Sequence, residues 1–172
     1  RPDQLMDPVE IDETFKMLKK AGKVLKFGVS NFTVSQFEMM KSRMDTPLVA
    51  NQIEFSVLNS APLFDGTLDQ CIQHQTMPMA WSPMGGGSLF TGNDEKSVRV
   101  RNEMEKICEE LNAPGLDAIA LSWILKHPSK VYPVIGTMKP NRIKSAMEAL
   151  KVQLTNEQWY RILVASQGHP VP

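Results

Sequence analysis

The chain has 172 residues, enough for one sizeable hydrophobic core, and it reads as a single domain over 1–172. Nineteen basic residues balance nineteen acidic ones, which argues against a broad electrostatic footprint for nucleic acid or an anionic membrane. No apolar run approaches the ~20 residues of a membrane-spanning helix, and Arg1-Pro2-Asp3-Gln4 does not read as a signal peptide.

Asp7-Pro8-Val9-Glu10 opens the first predicted helix. Asp7 caps it, Pro8 suits its first position, and Ile11, Phe15 and Leu18 recur on one face. Gly22 supplies a left-handed stop. The first strand covers 24–29, and Lys26-Phe27-Gly28-Val29-Ser30-Asn31-Phe32 ends it in two small polar side chains. Thr33 and Gln36 then form the capping box of a helix predicted over 33–43. The second strand covers 48–55, with Gln52 and Glu54 on one face and Asn51 and Ile53 on the other. Asp65 caps a short helix with Leu68 and Ile72 on its packed side.

The third strand and its exit run over 78–84, followed by Gly85-Gly86-Gly87-Ser88 and a loop to about residue 96. A loop that long in a compact domain is often functional. Two helices are predicted next. One covers 98–111, with Val100, Met104, Ile107 and Leu111 inward. The other covers 117–126, burying Leu116, Ile119, Ala120 and Trp123, and Pro128 stops it. The fourth strand covers 132–137. Met138-Lys139-Pro140-Asn141-Arg142 leads into a helix whose predicted buried stripe is Ile143, Ala146, Met147 and Leu150. Thr155 and Gln158 form a second capping box, opening a helix that buries Trp159, Ile162 and Leu163.

Four strand–helix units in series imply a parallel α/β sheet. In such folds ligands gather at the carboxyl ends of the strands. The residues there are Ser30, Asn31, Gln52, Glu54, Trp81, Ser82, the glycine triplet, Thr137, Lys139 and Arg142. Neutral hydrogen-bonding groups come first, then an aromatic ring with glycines, then two cations beside a helix N-terminus. The set suits a ligand with a flat ring, an amide and phosphates. Taken alone, the triplet is more often a plain loop, and Lys139 and Arg142 a solvated helix start; their position at strand exits favours the ligand.

The remaining candidates are weaker. His74 and His127 read as surface residues at helix ends, and His169 as a tail residue within reach of a ligand. Trp123 and Trp159 read as core. No His/Cys/Asp/Glu cluster has metal-ligand spacing. Cys71 and Cys108 read as reduced thiols in helices, so the expected setting is cytoplasmic. The eleven methionines read as adaptable core filler.

Gly28-Val29-Ser30-Asn31-Phe32, Asn51-Gln52, Trp81-Ser82-Pro83-Met84-Gly85 and Gly136-Thr137 through Arg142 together resemble the aldo-keto reductases, most closely their bacterial YdhF-like branch. The resemblance implies a (β/α)8 TIM barrel that transfers hydride between NADP(H) and the carbonyl of a small-molecule aldehyde or ketone. By that resemblance Ser30, Asn31 and Gln52 hold the nicotinamide carboxamide, and Trp81 stacks on its ring. Ser82, Met84, Gly85 and Gly86 line the pyrophosphate, while Thr137, Lys139 and Arg142 take the 2′-phosphate. The family's Glu-Asn after that arginine is Ser145-Ala146 here. Its catalytic Asp, Tyr, Lys and His are not matched.

A full barrel takes ~250 residues. The chain is therefore expected to be the second half, strands five to eight, of a longer enzyme, and to be inactive alone. As a whole, the protein is expected to be a monomer or weak oligomer. A non-catalytic NADP(H)-sensing barrel is the alternative. Another phosphate-binding barrel, an isomerase or aldolase, ranks below it, since it gives no reason for Ser-Asn and Gln at successive strand exits.

Overall fold

A computed structural model describes residues 1–171. Helix α1 (Pro8–Lys20) starts on the Asp7 side chain, which accepts from the Val9 N–H. It stops at Gly22, whose φ of +69° lets the N–H groups of Gly22 and Lys23 reach back to the carbonyls of Lys19 and Leu18. Strand β1 (Phe27–Ser30) follows, then α2 (Val34–Arg43), whose capping box uses Thr33 and Gln36 as expected. Strand β2 (Leu48–Glu54) leads through a loop to α3 (Thr67–Gln73), and β3 (Met77–Trp81) follows.

The long loop after β3 is not structureless: the glycine triplet forms a tight turn, and a short helix α4 (Ser88–Thr91) follows it. Helix α5 (Glu95–Leu111) starts three residues before the predicted 98, because the Asp94 side chain caps it at the Ser97 N–H. Then come α6 (Leu116–Leu125), β4 (Tyr132–Pro133), α7 (Pro140–Glu148) and α8 (Asn156–Gln167). Strand β4 is far shorter than expected. Val134 still donates to the Ala80 carbonyl, but β3 itself ends at Trp81 and offers no longer ladder.

The strands form one parallel sheet in the order β1-β2-β3-β4. Ser30, Gln52, Met79 and Tyr132 lie in one register row, and Glu54 pairs with Trp81. Residues in one row share a face, so this row lies on one side of the sheet. Alternate residues Asn51, Ile53 and Ala80 are buried on the other side, under the helices. Gly28 is required where β1 meets β2: a Cβ there would lie 2.8 Å from the Ala50 carbonyl oxygen and 3.1 Å from its Cβ.

The main core joins Ile53, Phe55, Leu68, Ala80, Val100, Met104, Ile107, Trp123 and Ile162. Trp123 and Trp159 stack at 5.0 Å, and each indole N–H donates to the other's carbonyl, at 3.0 and 2.9 Å. Both tryptophans are thus packing residues, as expected. A smaller cluster of Phe32, Phe37 and Met40 lies under α1 and α2.

Two apolar stripes depart from expectation. Ile72 of α3 is exposed, while Leu68 is buried. On α7, Ile143 and Met147 are exposed, as is Leu150 just past its end, while the capping residue Ala149 is buried. Helix α7 packs chiefly on α6, and among the described residues no element covers its other side. No helix among the described residues is long and apolar enough to cross a membrane.

The buried Asp12 carboxylate ties α1 to the turn before β2. It accepts from the N–H groups of Thr46 and Asp45, at 2.9 and 3.1 Å, and pairs with Lys16 at 2.7 Å. The Lys16 ammonium, then Thr46, hold its pKa well below the usual carboxylate range. A depressed carboxyl stabilises the fold above its unfolded pKa, and loses that contribution as pH falls towards the folded value. Asp12→Asn should therefore lower the urea midpoint at pH 7, with the gap to wild type closing as pH drops below ~4. Gly28→Ala should cost about 1–3 kcal/mol in the same denaturation measurement, because the atom it strikes belongs to the backbone and cannot rotate away.

Candidate functional site

Parallel pairing in sequence order puts all four strand exits on one rim. At the first exit, the Gln52 carbonyl accepts both the Asn31 N–H at 2.8 Å and the Ser30 hydroxyl at 3.1 Å. Asn31 has a φ of +56°, in the left-handed region that asparagine tolerates better than most residues. The turn is held from below by Asn51, whose buried side-chain amide donates to the Phe32 carbonyl at 3.1 Å. Asn51 Oδ1 is buried without a partner.

At the third exit, the Trp81 indole N–H donates to Asn31 Oδ1 at 2.8 Å, bridging β3 to the end of β1. The next residue, Ser82, has a φ of +49°, so left-handed backbone occurs at two of the four exits. Strained positions of this kind concentrate at binding sites. Gly85, Gly86 and Gly87 continue in the left-handed region, with φ of 56°, 62° and 100°. At Gly85 a side chain would also meet Leu58, 2.8 Å away. The half-buried Met84 side chain packs against the main core.

At the fourth exit, the Thr137 hydroxyl accepts the Lys139 N–H at 3.2 Å, and Lys139 stands at the start of α7 without capping it by its side chain. Lys139 and Arg142 are exposed, and neither enters an ion pair among the described residues. The structure thus brings Ser30, Asn31, Gln52 and Trp81 into a contiguous hydrogen-bonded and in-register group. The glycine turn and the Thr137–Arg142 segment follow the next two strand ends on the same rim.

A groove of about 600 Å³ runs beside the first two exits, with Asn31, Thr33, Glu54, Asn59, Asp65 and Thr67 in its lining. Of the strand-exit residues singled out in the sequence it contains Asn31 and Glu54. Most of the rim set thus lies outside that groove.

Other reactive groups sit elsewhere. Burial pushes the Cys71 thiol up to about 11 and Cys108 upward too, so neither is a ready thiolate at neutral pH. His74 is not the plain surface residue expected: it stacks on Phe37, and its ring nitrogens lie 2.6 Å from Glu38 and 2.6 Å from Lys41, locking α2 to α3. His127 is half-buried, and burial lowers its pKa. His169 is exposed, with its ring facing the Pro170 carbonyl. Among the described residues no group of three or more His, Cys, Asp or Glu is placed to hold a metal. Sequence reasoning missed Asn51 as a support; its signal was an amide on the helix-covered face of a strand.

The sequence profile of the Aldo/keto reductase family matches residues 1–165. The uncharacterized oxidoreductase YcsN of Bacillus subtilis (strain 168) is 44% identical over 172 residues, all of this chain and 57% of YcsN. Oxidoreductase YdhF of Escherichia coli (strain K12) is 45% identical, again over 100% of this chain and 57% of its own. A 6-dehydroglucose reductase of Agrobacterium fabrum is 38% identical over 99% of this chain and 56% of that protein. The chain thus spans somewhat over half the length of these relatives. Among solved structures, a thermostable aldo-keto reductase, Tm1743, crystallised with the inhibitor epalrestat, superposes with a TM-score of 0.84 over 95% of this chain and 57% of its own, at 22% identity. Aldose reductase from Giardia lamblia does so at 0.77 over 98% and 53%, at 20% identity. At that identity the likeness concerns fold, and it implies the (β/α)8 barrel. The four-stranded parallel sheet and the match along almost the whole sequence lead to one assignment: this chain belongs to the aldo/keto reductase family.

Proposed function

We propose that this chain is the cofactor-binding half, strands five to eight, of an NADPH-dependent oxidoreductase that reduces aldehyde or ketone carbonyls. The observation that carries the reading is the rim group Ser30–Asn31–Gln52–Trp81, cross-linked between β1, β2 and β3 and followed by unpaired cations at the fourth exit. Its chemistry fits a reduced pyridine dinucleotide. The Trp81 ring offers a flat apolar surface, and the Asn31 and Gln52 amides offer hydrogen bonds to a carboxamide. Left-handed glycines permit close backbone approach to a pyrophosphate. Thr137, Lys139 and Arg142, beside the start of α7, suit an additional phosphate.

When bound, the dinucleotide supplies the hydride. The residues of this chain hold it, orient its ring and neutralise its phosphates. Carbonyl reduction also needs a general acid. By family resemblance the Tyr, Lys, Asp and His that serve this role belong to a part of the fold that these 172 residues do not match. The relatives named oxidoreductase and 6-dehydroglucose reductase, each nearly twice as long, support a reductase as the whole protein. Its substrate is a small carbonyl compound, and the protein acts without nucleic acid or membrane.

Titrating the chain with NADPH should quench the emission of Trp81, and Trp81→Phe should remove that response while Trp123 and Trp159, packed on one another, continue to emit. No quenching in the folded wild type defeats the reading. Arg142→Ala should weaken NADPH binding about tenfold or more while leaving NADH nearly unchanged, as expected for one lost charge-assisted contact to phosphate. The chain by itself should show no aldehyde-dependent NADPH oxidation, and measurable turnover would overturn the division of labour proposed here.

A further inference from the structure

The geometry points to a second role for Trp81: its indole N–H fixes the orientation of the Asn31 amide, and so makes the rim select a ligand carbonyl oxygen. Indole nitrogen donates only, so the Asn31 atom 2.8 Å from Trp81 Nε1 must be the oxygen. Nδ2 is thereby turned away from Trp81, with both of its hydrogens free. No group among the described residues accepts from it, and Asn31 is exposed.

The backbone of Asn31 is fixed independently. Its N–H donates to the Gln52 carbonyl at 2.8 Å, and the following Phe32 carbonyl accepts from the buried Asn51 amide at 3.1 Å. With the main chain held from β2, the remaining freedom is rotation of the Asn31 side-chain amide. Without a partner that amide presents oxygen or nitrogen to a ligand equally well. With Trp81 donating to Oδ1, the side facing the ligand is a pair of N–H donors. Trp81 is therefore a positioning residue through its nitrogen as well as a surface through its ring. Tyrosine or phenylalanine at that position supplies the flat face but not this N–H.

The identity of the ligand rests on the dinucleotide reading above; the anchoring of Asn31 does not. Two measurements separate them. In the ligand-free protein, ¹⁵N relaxation of the Asn31 side-chain amide should report a rigid group, and Trp81→Phe should make it mobile. Equal rigidity in both overturns the proposal, whatever the chain binds. Calorimetry should then compare NADPH with its thionicotinamide analogue, whose sulfur is a poor acceptor. Wild type should prefer NADPH about tenfold, the worth of one hydrogen bond, and Trp81→Phe should reduce that preference to about twofold or less. General damage to the site weakens both ligands alike and leaves the ratio intact, so an unchanged ratio, or no preference in wild type, also overturns it. If neither ligand binds folded wild type, the dinucleotide reading fails and the relaxation result decides the anchoring. Asn31→Asp, which still accepts from the indole but has no N–H to offer, should keep the downfield Trp81 indole resonance and lose affinity for both ligands. Loss of that resonance in Asn31→Asp counts against the hydrogen bond.

Discussion

The Gln52 carbonyl is the point on which the rim depends. It accepts the Asn31 N–H, which continues the β1–β2 ladder one residue beyond the strand, and it accepts the Ser30 hydroxyl as well. A carbonyl has two lone pairs, and here both are used to end a strand. The chain can then leave β1 through a left-handed residue without abandoning its neighbour. Everything at the first exit inherits its position from β2, which is paired on both edges.

From that anchor the site extends sideways rather than downwards. Trp81 lies opposite Glu54 in the ladder, two residues along from the row that joins Ser30, Gln52 and Met79 and on the same face. Its indole crosses β2 to reach Asn31, so side chains from non-adjacent strands meet over the strand between them. The opposite face of the same strands carries Asn51, Ile53 and Ala80 under the helices. Two faces with different duties fit the period-two alternation of a strand, in which neighbours point to opposite sides.

Membership of the aldo/keto reductase family gives the open side a meaning. The relatives are nearly twice the length of this chain, and the structural neighbours imply a closed (β/α)8 barrel. A sheet of four strands has two edges and one uncovered face, and α7 shows an apolar stripe that the chain leaves exposed. In amphipathic helices such stripes face a core. Periodicity groups Ile143, Met147 and Leu150 into one stripe and predicts it buried, but it carries no information on whether a covering element is present, and the three are exposed.

Much was legible in the residues themselves. Asp7, Thr33, Gln36, Thr155 and Gln158 announce helix starts because capping is a local transaction between a side chain and the next turn's N–H groups. The four strand exits and the parallel order followed from the alternation of short apolar runs with helical ones, and the motifs at those exits identified the family. What the sequence could not determine was which polar groups would find each other across strands. The Trp81–Asn31 bond spans 50 positions, the Asn51–Phe32 bond 19, and the His74–Glu38 pair 36. Such pairings depend on register, twist and the depth of each side chain, and these exist only once the strands have assembled.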